Sequence, residues 1–346
     1  MYFKTQRIQL ILFILFSVAL SACSDTKKPI ATDGAQTTEI KIEMSDAAAA
    51  LSIQIKANPN NAELYYQRGT LYFTEKYLDK ALFDIEQAIK LDGQNPLYYF
   101  YKGKTLYAMN RTQDAAKAYE SAIALKADYT EAQLKLAELY YVVKEYTKSI
   151  NLLNTIIAAE PANATAQFFK GMNQKEMGDT VKAVATFQKT LDMDDSNFDA
   201  AIQLGLLFTV RKNPLALAYF KTALRLKPLS EEAYFARAFY YQETGKFQQA
   251  LFDYRKVIDI NPSNDRAYYN VGVINFDAKK YVEAMRSWDI CIQMNNQYVE
   301  AYYMRGLVYE LTSNRRDAAL NYQFALELMP KYALAKEGLD RVTKDF

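Results

Sequence analysis

Six glycines, Gly69, Gly103, Gly171, Gly205, Gly272 and Gly306, are separated by 34, 68, 34, 67 and 34 residues and so share one 34-residue grid. Prolines fall on a parallel grid: Pro59, Pro161, Pro228, Pro262 and Pro330 lie 102, 67, 34 and 68 residues apart. A fixed period of this size marks a chain built of stacked supersecondary units, none of which can bury its apolar face alone. Such a chain folds as a solenoid and works through an extended surface rather than one catalytic pocket.

In register, the units run 62–95, 96–129, 130–163, 164–197, 198–230, 231–264, 265–298 and 299–332, the fifth being one residue short near Lys212-Asn213-Pro214. Position 8 is small throughout, with Ala137 and Ala238 joining the six glycines. Position 20 is alanine except for Ser149 in the third unit. Position 24 is large: Ile85, Tyr119, Leu153, Phe187, Phe220, Tyr254, Trp288 and Tyr322. Apolar residues recur at three- and four-residue spacings, so each unit predicts two amphipathic helices. Glycine inside a helix costs about 1 kcal/mol. Its recurrence at one position therefore argues for close approach of a second helix, with the position-24 side chain filling the space between neighbouring pairs. Proline at position 32 predicts the end of the second helix, because the residue before proline avoids the α region.

This pattern resembles the tetratricopeptide repeat over residues 62–332. Departures are Gln174 and Asn275 at position 11, where the family has an aromatic residue, and Gly93, Ala127, Asp195 and Asn296 in place of the proline. The resemblance implies an all-α solenoid of eight helix pairs in a right-handed superhelix. Residues 46–61, with Ala47 at position 20 and Leu51 at position 24, read as an N-terminal half-repeat. Residues 333–346 read as a C-terminal capping helix with Leu334, Leu339 and Val342 on one side. Polar-faced caps of this kind keep a solenoid soluble.

The N-terminus carries Lys4 and Arg7, then an apolar run from Ile8 to Leu20, then small residues. The run is too short to span a bilayer and has the form of a secretory signal peptide. Leu20-Ser21-Ala22-Cys23 resembles the lipobox of bacterial lipoproteins. That resemblance implies cleavage after residue 22 and a lipid on the Cys23 thiol. Residues 23–45 then form a polar tether. Ser24 after the cysteine implies an outer-membrane anchor facing the periplasm of the bacterial cell envelope.

Loss of the leader lowers the 42 basic residues to 40, equal to the 40 acidic ones. A neutral chain has no electrostatic footprint for nucleic acid. The absence of histidine removes His-dependent nucleophilic systems and the commonest metal ligand. Cys291 stands at position 27 among alanines and valines and reads as a packing residue. Asp192 to Asn197 begins like a calcium loop, but Asn197 stands where the turn needs glycine. The expectation is no metal, no cofactor and no enzyme activity.

The family resemblance places the concave groove on the first helix of each pair, at positions 2, 5, 9 and 12. Position 9 changes character along the chain, from Thr70, Lys104 and Glu138 to Met172, Leu206, Phe239, Val273 and Leu307. The expected binding strip is therefore Phe168, Met172, Leu206, Phe235, Phe239, Tyr269, Val273, Phe276, Tyr303 and Leu307. Tyr66, Phe100, Lys104, Glu138 and Lys175 make a more polar stretch. A contiguous apolar strip implies a partner. The expected function is a membrane-anchored envelope scaffold that takes a protein or an extended peptide in its groove. A glycan-binding envelope module and an assembly factor for an outer-membrane, secretion or pilus machine are the alternatives. The terminal helices offer a route to a homodimer. The carboxylate clamp of some family members is missing: Asn270 at position 6 has Phe235 and Phe239 at the clamp positions of the preceding unit.

Overall fold

The computed structural model describes residues 45–344. The chain divides into two compact units, Met1–Ala47 and Ala48–Phe346. Of the first, only Ser45, Asp46 and Ala47 are described. The leader, Cys23 and the tether up to residue 44 lie outside the described residues.

Among the described residues there are 18 helices and no strand. α1 (Asp46–Ala57) leads into eight hairpins: α2 (Ala62–Thr74) with α3 (Leu78–Leu91), α4 (Pro96–Ala108) with α5 (Thr112–Leu125), α6 (Thr130–Val142) with α7 (Tyr146–Ala159), and α8 (Ala164–Glu176) with α9 (Thr180–Met193). Then follow α10 (Phe198–Val210) with α11 (Leu215–Leu226), α12 (Glu231–Glu243) with α13 (Phe247–Ile260), α14 (Asp265–Asp277) with α15 (Tyr281–Met294), and α16 (Val299–Leu311) with α17 (Arg315–Leu328). α18 (Ala333–Thr343) closes the stack. The architecture is the expected all-α solenoid of eight pairs with a helix at either end.

Short connections force consecutive helices antiparallel. Two reversals per unit return the chain to its starting direction, so all first helices run parallel. Turns within pairs therefore lie along one edge, and turns between pairs along the other. First helices of consecutive units touch directly, as α2 with α4, α6 with α8 and α10 with α12, while no two second helices make comparable contact. The first helices are thus the inner layer.

The turns inside the pairs repeat one conformation. Each holds a single residue with positive φ: Lys76, Asn110, Lys144, Gly178, Lys212, Gly245, Lys279 and Ser313. The next residue donates its N–H back across the turn, as Tyr77 to the Tyr72 carbonyl at 2.8 Å and Lys280 to the Asn275 carbonyl at 2.8 Å. This is the Schellman closure of a helix C-terminus. The second helices end uniformly as well: α3, α5, α9 and α15, which lack the proline, each have 14 residues, like α13 with Pro262 behind it. Proline marks this boundary without being required for it. Where the next helix begins with Asn, its amide oxygen caps the new N-terminus, as Asn264 does for the Ala267 N–H at 2.7 Å.

Close approach occurs where the glycine grid indicates. A Cβ on Gly103 would stand 2.5 Å from the Tyr119 ring, and one on Gly171 2.7 Å from Phe187. Where position 8 is glycine the position-24 side chain packs on the bare backbone, and Phe187, Phe220, Trp288 and Tyr322 are fully buried there. Tyr322 is held between Gly306 and Gly338 of the cap. Buried ion pairs join the two helices of units one and six: Arg68 to Asp84 at 2.7 and 2.8 Å, and Arg237 to Asp253 at the same distances.

Candidate functional site

The inner layer presents the first helices side by side, so positions 2, 5, 9 and 12 of successive units form rows. Position 5 is partly structural. Its ring packs on the position-24 ring of its own unit, as Phe168 on Phe187 at 5.7 Å and Phe235 on Tyr254 at 5.4 Å. It also meets the last residue of the unit, as Tyr269 meets Tyr298 at 4.9 Å and Tyr303 meets Tyr332 at 5.6 Å. This wedging corrects part of the expected strip. Met172, Val273 and Tyr303 are buried between helices and offer no surface, and the same holds for Phe100 in the polar stretch. Phe168, Leu206, Phe235, Phe239, Tyr269, Phe276 and Leu307 are half-buried.

The densest grouping is in units five to seven, where α10, α12 and α14 bring Leu206, Phe235, Phe239 and Tyr269 along one face. Two position-2 residues that the reading of positions 5 and 9 passed over complete it. The Arg266 guanidinium lies 4.7 Å over the Phe235 ring, a cation–π contact that keeps both side chains ordered. Glu232, half-buried, accepts no hydrogen bond and joins no ion pair among the described residues. Burial, and then the neighbouring Asp199 carboxylate, raise its pKa above the usual carboxylate range. The signal for both was in the sequence, in the row Asp199, Glu232, Arg266 and Glu300.

Hydrogen bonds fix this face. Glu231 at the start of α12 accepts from Asn261 at 3.0 and 3.1 Å and from Asn264, both in the turn that ends the same unit. Asp265 accepts from Asn295 at 2.6 Å one unit later. Trp288 donates its indole N–H to the Tyr269 carbonyl at 3.1 Å, tying the backbone of α14 to α15.

The polar stretch is organised differently. The Lys104 ammonium stands 4.5 Å from the Tyr101 ring, 5.4 Å from Phe73 and 5.6 Å from Phe100. Tyr66 packs on Tyr98 and Tyr101, both at 5.2 Å, and burial and then Tyr101 push its phenol pKa up. Glu138 pairs with Lys135 at 2.6 Å. Lys175 donates to Gln203 at 2.9 Å and pairs with Glu176 at 3.2 Å. These charges are engaged within their own units or with the adjoining one.

The Cys291 thiol is buried and its pKa is pushed up to about 12, first by burial, so it is not a nucleophile. Among the described residues no group of acidic or thiol side chains could hold a metal ion, and no helix is long and apolar enough to cross a membrane.

Three stretches, 62–95, 106–168 and 240–278, match tetratricopeptide-repeat family profiles. The described residues have the all-α fold of a tetratricopeptide-repeat solenoid. The chain is similar to the TPR repeat-containing protein MJ1428 of Methanocaldococcus jannaschii, with 23% identity over 63% of this chain and 40% of that one. It is also similar to the human protein O-mannosyl-transferase TMTC3, with 26% identity over 56% of this chain and 23% of that one. It thus spans less than half the length of these relatives. A tetratricopeptide repeat protein from Parabacteroides merdae superposes with a TM-score of 0.56 and 16% identity, covering 71% of this chain and 98% of that one. Tetratricopeptide solenoids are protein-binding folds and typically non-catalytic.

Proposed function

We propose that this protein is a non-catalytic scaffold of the bacterial cell envelope. Its solenoid is held by acylated Cys23 at the outer membrane, facing the periplasm, and takes a protein or extended peptide segment in the inner face of units five to seven. The observation that carries the binding reading is the half-buried patch of Leu206, Phe235, Phe239 and Tyr269 with Arg266 stacked on Phe235. Aromatic and arginine side chains are the usual energetic anchors of protein interfaces, and here they are preordered, which lowers the entropic cost of binding. The anchor reading rests on the apolar leader ending in Leu20-Ser21-Ala22-Cys23.

The test is in-cell crosslinking followed by purification of the wild type and of the triple variant Phe235→Ala, Phe239→Ala and Tyr269→Ala. The expected outcome is a specific protein lost in the variant while its circular dichroism is retained. Equal recovery by both would move the interface to the convex face, the polar groove of units one to three, or the tether. Replacing Cys23 by Ser should move the protein from the membrane fraction to the soluble one, and unchanged retention would contradict the anchor.

A further inference from the structure

The turns within the pairs line one edge of the stack, and this edge differs from the opposite one in charge. Its connections carry eight lysines and arginines against three acids, whereas the connections between pairs and to the end helices carry three against five. Lys76, Arg211, Lys246, Lys279 and Lys280 have no carboxylate partner among the described residues. Aliphatic side chains stand out between them: Val181 is 69% exposed, Val210 62% and Val282 61%, with Val143, Met177 and Leu215 also exposed. The opposite edge exposes apolar side chains too, Leu229 at 79% above all, but four of its turns carry acids, Asp92, Asp128, Glu160 and the pair Asp194 and Asp195. Apolar exposure is thus common to both edges, and charge separates them.

We propose that the edge formed by the turns within the pairs docks on the surface of an anionic lipid bilayer. Lysine and arginine near such a surface are attracted to the headgroups, and aliphatic side chains among them enter the interfacial region. The spacing favours lipid over a protein partner. The exposed aliphatics come one or two per turn in units three, four, five and seven, with Phe247 in their place in unit six, whereas a protein interface gathers its anchors into one close-packed centre. The inference does not depend on acylation of Cys23.

Hydrogen–deuterium exchange of the full chain tests it, with vesicles of phosphatidylcholine alone and of phosphatidylcholine mixed with phosphatidylglycerol. A leader or an acyl chain would hold the protein on both without shielding one edge. The expected result is slower exchange at 143–145, 177–179, 211–214 and 278–280 on the anionic vesicles, with 194–197 and 261–264 unchanged. A quadruple variant, Arg211→Glu, Lys212→Glu, Lys279→Glu and Lys280→Glu, alters exposed turn residues and should keep its circular dichroism. It should lose that shielding, with apparent partitioning lower by roughly a hundredfold or more. Equal shielding on neutral vesicles, shielding of the opposite edge, or an unaffected quadruple variant would overturn the proposal. So would shielding of the same turns without vesicles that grows with protein concentration, which would assign the edge to a second copy of the chain.

Discussion

The indole of Trp288 rests against the α-carbon of Gly272, and any Cβ there would overlap the ring. Gly272→Leu should therefore lower stability by about 3 kcal/mol, because overpacking outweighs the roughly 1 kcal/mol that helix propensity returns. Cys291→Ala, three residues beyond Trp288, removes one sulfur from a position where other units already carry alanine and should cost less than about 1 kcal/mol. Urea unfolding of both variants checks this, and equal midpoints would contradict the packing. At this scale the sequence was readable where one residue type has one use: a helical glycine repeated every 34 residues points to close approach. It was less readable at position 5, where an aromatic ring serves packing and binding alike. Phe100 and Tyr303 are buried there beside Tyr129 and Tyr332, while Tyr269, in the same contact with Tyr298, stays half-buried.

Among the elements, the eight Schellman turns share one backbone path, yet only Gly178 and Gly245 meet it with glycine. Lys76 holds φ at 67°, a conformation that costs a residue with a Cβ about 1 kcal/mol or more. Lys76→Gly should raise stability by about 0.5 kcal/mol after the added freedom of the unfolded chain is subtracted. The same change at the exposed Lys117, midway along α5, should lower it by about 1 kcal/mol. A pair of urea midpoints shifted in the same direction would refute this. The closing helix α18 is joined to α16 through Arg341, whose guanidinium donates to Glu310 at 2.8 and 3.0 Å. That contact, and then the Tyr322 hydroxyl, hold the Glu310 pKa below its usual value. A lowered carboxylate pKa stabilises the fold above the unfolded value and loses that contribution as pH falls through the folded one. Acidification below about pH 4 should thus raise exchange in α18 before α8 or α10, and Glu310→Gln should abolish the pH dependence. Unchanged exchange in α18 across this range would sink the assignment. The turn geometry was hidden in the sequence because lysine, asparagine and serine all adopt it here. The ion pairs Arg68–Asp84 and Arg237–Asp253 had a signal, a 16-residue spacing at the same two positions of two units.

Across the whole molecule, the period alone specified the class of fold, because each unit meets only its neighbours and the same contacts recur along the stack. What it left open was how rows of side chains are shared between burial and surface, since that depends on the tilt of each pair on the next. Arg266 over Phe235 is such a relation: position 2 of one unit lies against position 5 of the previous one, and neither unit contains it by itself.

Trp288 is the one tryptophan in 346 residues, and it is fully buried in the seventh unit. Its emission therefore reports from a single place in the stack, while ellipticity averages over all the helices. If the ends fray first under denaturant, ellipticity falls while the emission stays blue. If the units are strongly coupled, the two signals change together. The separation of the two curves would measure how firmly each repeat holds the next, with a fluorophore already present in the protein.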